Sequence, residues 1–196
     1  MQESIDERMN AMEILYELKT LKRQGWLDHG IPKDICESVA DHSLHCGQAA
    51  YFFTRDYRLV EMMMLHDCPE SIFGDTTPKE KMSKEMKFAR EFLSMKIITG
   101  YLPEQMRSKT FGTWHEYAQK SSDHAILANQ VDKMDASVRA MSYEYLGYKV
   151  DDYYPWTREA LVDARLIKIF DTLMNRKHPL RFTRAYYYTL LGQNRI

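Results

Sequence analysis

The sequence predicts an all-α protein, on three observations. Gly and Pro are scarce, at 8 and 6 in 196 residues. Most apolar residues recur three or four positions apart, the spacing of a helix face. No segment alternates apolar with polar residues as a half-buried strand does.

The elements follow in order. A first helix is expected from Ile5 to Gln24, with Met9, Met12, Leu15, Leu18 and Leu21 as its stripe and Gly25 as its stop. A loop through Gly30-Ile31-Pro32 leads to a second helix that starts near Ser38, carries His42, His45 and Ala49 on one flank and ends around Thr54-Arg55-Asp56. The third, Tyr57 to about Cys68, has a nearly continuous apolar face and should be a central core helix. Pro69 and Gly74 bound a short turn. Ser83 then opens a helix that Gly100 closes, with Met86, Ala89, Leu93 and Ile97 at helical spacing. Pro103 to Lys120 reads as one or two short helices. Ser122 or Asp123 caps the next, whose stripe is Leu127, Val131, Met134, Val138 and Met141, with Asp132 at its edge. A further helix spans Thr157 to Lys177, and a last one runs from Pro179 through Tyr186-Tyr187-Tyr188 to Leu191. No repeat or linker divides the chain, so residues 1–196 are expected to form a single domain with 147–196 as its C-terminal helical extension.

Charge and cysteine content narrow the function. With 27 basic and 28 acidic residues the chain exerts no long-range pull on nucleic acid polymers or anionic membrane, although a local basic pocket for one phosphate is compatible with it. Cys36, Cys46 and Cys68 are odd in number and lack CxxC spacing, which argues against a disulfide framework and a thiolate zinc site. The N-terminus is acidic and polar where a signal peptide is basic and then apolar. No apolar run reaches the ~18 residues that cross a bilayer. A cytoplasmic protein with no membrane association is the expectation.

The chemistry concentrates at His66-Asp67, which ends the apolar segment Leu59 to Leu65. With His42 upstream and Asp132 downstream it makes an H…HD…D set. Two imidazoles and two carboxylates suit Mn, Fe, Co, Ni or Zn and leave coordination positions open for water and substrate. The dipeptide alone means little, since Asp28-His29, Asp41-His42 and Asp123-His124 show how readily such pairs arise. The sequence after it carries more: Cys68-Pro69-Glu70, then Gly74-Asp75, then Thr77-Pro78-Lys79. Neighbouring helix positions point about 100° apart, so His66 and Asp67 reach one ion only where the helix is ending, and Pro69 supplies that ending. Glu70, one turn beyond His66, is the candidate general acid/base. Asp75 is placed to accept from a sugar hydroxyl or orient a water, and Lys79 or Lys81 to meet a phosphate oxygen. Asp135 competes with Asp132, three residues away on the same flank. His45 reads as a supporting or core residue, and His29, His115, His124 and His178 have no evident partner.

These residues resemble the HD-domain metal-dependent phosphohydrolases, and within them the 5′-deoxynucleotidase-like branch. The matching segments are Glu37 to Leu44, His66-Asp67 through Glu70 to Gly74-Asp75 and Thr77-Pro78, Trp114-His115-Glu116-Tyr117, and Val131-Asp132-Lys133, together covering roughly residues 14 to 146. The resemblance implies an all-α HD fold with one Co, Mn or Zn-type ion held by His42, His66, Asp67 and Asp132, the last chosen over Asp135 by the Val131-Asp132-Lys133 match. It implies hydrolysis of a nucleotide phosphoester, with Glu70 and Asp75 at the positions of active-site carboxylates. Two departures are visible. The first His stands closer to the His-Asp pair than the family usually places it. The family's Arg beside an aromatic is represented here by Arg23 and Trp26, which flank Gly25 and would hold phosphate and stack on a base. Residues beyond Gly147 fall outside the resemblance and read as core or as subunit contact in a homodimer.

Three other activities compete. A dNTP triphosphohydrolase would use the same ligands, a di-iron oxygenase would need further His ligands, with only His115 and His124 in the right stretch, and a non-catalytic nucleotide-binding scaffold would need no open metal position.

Overall fold

The computed structural model describes residues 2–175. They form helices α1 (Gln2–Tyr16), α2 (Gln24–Asp28), α3 (Val39–Thr54), α4 (Tyr57–Leu65), α5 (Glu70–Phe73), α6 (Lys84–Gly100), α7 (Glu104–Gln119), α8 (Asp123–Tyr145), α9 (Tyr153–Ala160) and α10 (Ala164–Met174). Among the described residues there is no strand, only an isolated antiparallel bridge between Lys22 and Ser38. The helix expected over Pro179 to Leu191 lies outside the described residues.

Side-chain caps start the helices where expected. Ser38 and Asp41 exchange hydrogen bonds in a capping box that opens α3, and Ser83 and Ser122 accept from Met86 and Ala125 to open α6 and α8. Asp56 opens α4 by accepting from Arg58.

α8 is the axis of the molecule. It packs on α3, α4, α7 and α9. Val131 and Met134 on it meet Leu59, Met62 and Met63 of α4 and Cys46 and Ala50 of α3, all buried. A second cluster joins Trp26 and Cys36 to Ala136, Ala140 and Tyr143 of α8, and a third packs Met95 and Ile98 of α6 on Trp114 of α7.

The structure corrects the predicted helices in four places. The first helix stops at Tyr16, followed by a single 3-10 turn at Glu17–Lys19. Arg23 takes an extended conformation (φ −61°, ψ 109°), because the Arg23 N–H donates to Glu37 O and the Val39 N–H to Leu21 O. Gly25 therefore lies inside α2 instead of stopping α1. On α1 the packed residues are Ala11, Ile14 and Leu15, followed by Leu18 in the 3-10 turn, and Met9 and Met12 face outward. On α6 the inward face is Phe88, Phe92, Met95 and Ile98, so the predicted Met86, Leu93 and Ile97 are exposed. Both tracks on α6 have helical spacing, and the aromatic one gains more area by facing the core. The helix expected over Thr157 to Lys177 begins at Tyr153 and breaks at residues 161–163. There the Gln130 side-chain oxygen accepts from the Val162 and Asp163 N–H groups, and Asp163 caps α10.

Candidate metal centre and catalytic cavity

α3, α4 and α8 each deliver one side chain to a common point. His42, one turn into α3, is fully buried; His66 follows the last residue of α4; Asp132 is buried on α8. The Nε2 atoms of His42 and His66 stand 3.2 Å apart, and Asp132 Oδ1 is 3.2 Å from His42 Nε2. Asp67 follows His66 off the helix end, which bends its carboxylate back so that Oδ2 lies 3.2 Å from His66 Nε2 and 3.6 Å from His42 Nε2.

The outer ring atoms are spoken for. His66 Nδ1–H donates to Met63 O at 2.7 Å, and His42 Nδ1–H donates to Asp135 Oδ2 at 2.6 Å. Each bond selects the neutral tautomer whose Nε2 carries a lone pair. Two such nitrogens facing each other beside two carboxylates form a site whose donors fit one divalent cation. The carboxylates Asp132 and Asp135 hold His42 well above its ordinary pKa, although burial and Arg23 oppose them. A cation and that proton compete for the same lone pair, so cation binding releases it.

Cys46 adjoins this cluster, with Sγ 3.6 Å from both ring nitrogens of His42. Burial, with Asp135 and Asp132 adding to it, pushes its thiol far above the usual range against the pull of His42. It is a neutral thiol and a poor ligand. Asp67 is the better fourth donor: burial raises its pKa, but His66, Arg23 and His42 outweigh that and keep it ionised.

A cavity of about 400 Å³ opens over the cluster. Glu70, first residue of α5, is buried there, and among the described residues its Oε2 has no hydrogen-bond partner. Burial, with Asp67 and Asp75 beside it, raises its pKa well above the carboxylate range, which favours the protonated form of this cavity-lining carboxyl. Gly74 takes φ +91°, a left-handed turn that glycine accommodates, and the turn brings Asp75 back to accept from the Gln24 N–H at 2.6 Å. Arg23 spans both acids, with Nη1 3.0 Å from Asp67 Oδ2 and 3.9 Å from Asp75 Oδ1.

His66, Asp67, Asp132, Glu70, Asp75 and Arg23 thus line one cavity, and the fully buried His42 adjoins it through His66 and Asp132. Trp26 and Lys79 are placed otherwise. The Trp26 indole is only 2% exposed, its N–H donates to Glu37, and Tyr153 stacks on one face at 4.3 Å, so it forms the wall and no face is free for a base. Lys79 lies outside this cavity, donating to Asp28 O at 3.0 Å. The cations that do line it are Arg23, Lys87 and Lys133, and Lys133 Nζ is 2.9 Å from Asp132 Oδ2.

Of the histidines without an evident partner, His29 pairs with Asp152 and His124 with Asp56, and His115 packs among Phe88, Phe92 and Phe111; His178 lies outside the described residues. His45 donates to Asp135, the carboxylate that holds His42. Sequence reasoning raised Asp135 only as a rival ligand. It gave Tyr117 no role beyond the matching Trp114 to Tyr117 segment, although its hydroxyl lies 3.4 Å from Asp132, and it put Tyr153 and Trp156 in the core or at a subunit contact, whereas both line the cavity.

Among the described residues, fold and site together define an all-helical protein built around a His2Asp2 cluster whose donors could hold a cation. The HD-domain family model matches residues 15–159, so the chain belongs to the HD-domain family, and the match extends past Gly147 to include Tyr153 and Trp156. It is 31% identical to 5′-deoxynucleotidase HDDC2 of Mus musculus, over 87% of this chain and 88% of that protein. It is 29% identical to 5′-deoxynucleotidase YGK1 of Saccharomyces cerevisiae, over 83% and 84%. Among solved structures, a conserved hypothetical protein from Pyrococcus furiosus superposes with TM-score 0.69 at 20% identity, covering 85% of this chain and 99% of that one. A predicted metal-dependent phosphohydrolase from Magnetospirillum magnetotacticum superposes with TM-score 0.67 at 23% identity, covering 88% and 92%.

Proposed function

We propose that this protein is a divalent-metal-dependent 5′-deoxynucleotidase that releases phosphate from deoxynucleoside monophosphates. The observation that carries this reading is the buried, unpartnered Glu70 carboxyl in the cavity lined by His66, Asp67 and Asp132, with His42 adjoining them. Relatives named 5′-deoxynucleotidase in mouse and yeast support the substrate class. The cavity, at about 400 Å³, sits near the small end of ligand pockets, ~300–1,000 Å³, which suits a monophosphate.

His42, His66, Asp67 and Asp132 hold the ion, for which Co, Mn and Zn are the leading candidates and Fe and Ni also fit the ligands. When bound, such an ion polarises a phosphate oxygen and acidifies a water. Arg23, anchored by Asp67 and Asp75, directs its remaining guanidinium donors at the phosphate, and Lys133 and Lys87 add positive charge to the wall. Asp75 orients the sugar. The water oxygen bonds to phosphorus as the P–O5′ bond breaks. Glu70 gives its proton to O5′ and is reprotonated by the proton the water loses, so the products are nucleoside and phosphate.

A di-iron oxygenase finds no extra imidazoles among the described residues, since His115 and His124 are engaged away from the cluster. A homodimer is supported by the exposed aromatic group Tyr51, Phe52 and Tyr57 at the α3–α4 turn. A cytoplasmic location is supported by the buried, unpaired Cys36, Cys46 and Cys68, and no described helix is long and apolar enough to cross a membrane.

Phosphorus NMR of chelator-stripped protein, resupplied with Co or Mn and given deoxynucleoside mono- and triphosphates, tests the reading. Inorganic phosphate from the monophosphate is expected. Tripolyphosphate from the triphosphate would make the protein a triphosphohydrolase, and no turnover of either by metal-loaded protein would refute nucleotide hydrolysis.

A further inference from the structure

A second cavity, of about 420 Å³, lies beside the catalytic one and is bordered by Asp28, His29, Lys79 and Asp152. The two share Gly25, Thr77, Tyr153 and Trp156 as a common rim. That rim is aromatic and held in place. Tyr153 stacks on Trp26 at 4.3 Å and meets Trp156 edge-on at 6.2 Å, with planes 85° apart. A Cβ on Gly25 would lie 2.9 Å from the Tyr153 hydroxyl, so only a glycine in α2 lets α9 come this close without displacing that ring. Trp156 is 49% exposed, and Lys133 Nζ sits 4.6 Å from its ring centre while bonding Asp132. An exposed indole is thereby linked through one lysine to the cation cluster.

We propose that Trp156, backed by Tyr153, is the nucleobase subsite, and that the base passes over the Gly25–Thr77 rim into the second cavity while the phosphate stays over His42 and His66. The inference rests on the nucleotidase reading and assigns the base of that substrate, for which the mechanism above names no partner. Trp26 cannot take that role, because Tyr153 and Glu37 already engage it. The second cavity takes the rings of Tyr153, Trp156 and His29 into its lining beside the charged Asp28, Lys79 and Asp152. Stacking dominates there, and every base has a π face, so the subsite tolerates all four bases.

The test compares kcat/KM for deoxyadenosine monophosphate and for base-free 2-deoxyribose 5-phosphate, in the metal-loaded wild type, Trp156→Ala and Trp156→Phe. The wild type is expected to favour the nucleotide by about 5- to 150-fold, the range carried by stacking of one base. Trp156→Ala should collapse that ratio toward one, chiefly through KM, and Trp156→Phe should restore most of it. Equal efficiency of the wild type on both substrates overturns the subsite alone, as does a Trp156→Ala loss that falls equally on both. Turnover of neither substrate by the wild type overturns the nucleotidase reading, and the subsite with it.

Discussion

Asp135 provides the sharpest test of how the cation cluster is built. Its carboxylate is only 4% exposed and accepts from two imidazoles, from His42 at 2.6 Å through Oδ2 and from His45 through Oδ1. Asp135→Asn keeps the volume but offers one acceptor and one N–H donor, so one ring must lose its partner. With the amide N–H toward His42, the His42 proton moves to Nε2, the atom aimed at the cluster, and the ligand is lost. With the amide oxygen toward His42, the half-exposed His45 loses instead and recovers water. Cation binding is expected to weaken about 10- to 100-fold, which is ~1.4–2.7 kcal/mol. Calorimetric titration of Mn into chelator-stripped protein at neutral pH reads it, with His45→Ala as a near-neutral control. Acid stability of the metal-free protein adds a second reading. Burial pushes the Asp135 carboxyl up, but the bonds from His42 and His45 more than offset that and take it down to about 2. A folded value below the unfolded one, ~3.9, means a stabilisation on the order of 2 kcal/mol that is complete above pH ~4 and lost as pH falls through about 2. The wild-type advantage over Asp135→Asn should shrink across that window. A Kd within twofold of wild type would refute the claim that this carboxylate orients His42.

Three further outcomes follow from the same geometry. Glu70→Gln removes the proton donor without touching the four ligands, so phosphate release should fall about 10²–10⁴-fold while Mn affinity measured by calorimetry holds. Leu59→Ala empties a fully buried place between α4 and α8 and should cost ~2–5 kcal/mol in urea unfolding. Asp163→Ala deletes the cap that accepts from the Arg165 and Leu166 N–H groups and should cost ~1 kcal/mol, seen as a Tm lowered by a few degrees.

Legibility in the sequence tracks how local each cause is. His66-Asp67 followed by Pro69 could be read because the ligand pair, the helix end and the acid at Glu70 are neighbours in the chain. The caps Ser38, Ser83 and Ser122 were legible for the same reason. The break after Tyr16 was not, because it depends on residues 21–23 pairing with 37–39, a contact that leaves no periodic trace in either segment. The α6 face was ambiguous, since Met86-Leu93-Ile97 and Phe88-Phe92-Met95 both have helical spacing and the choice is made by residues of other elements, Trp114, Phe111, Leu15 and Leu65 among them. Asp132 and Asp135 share a flank of α8, and one turn of helix separates the carboxylate that faces the cluster from the one that faces the far side of His42. Trp156 carried no local signal, because its place depends on α9 folding over Gly25 in α2.

The charge of the cavity makes the cation necessary for more than rate. Asp67, Asp75, Glu91 and Asp132 line it with the carboxylic acid of Glu70, against Arg23, Lys87 and Lys133. Of those cations, Arg23 lies on Asp67, Lys87 is 3.6 Å from Glu91 and Lys133 is on Asp132, so each is matched by an acid of the chain itself. A phosphate dianion entering that balance meets the four carboxylates Asp67, Asp75, Glu91 and Asp132 against three cations that each already lie beside an acid. A divalent charge between His42, His66, Asp67 and Asp132 reverses the local sign and converts the same wall into an anion site. Inorganic phosphate should therefore bind the metal-loaded protein and not the chelator-stripped one in a calorimetric titration at constant ionic strength. Equal affinity in the two forms would mean that Arg23 and the lysines suffice, and the metal would then serve the chemical step alone.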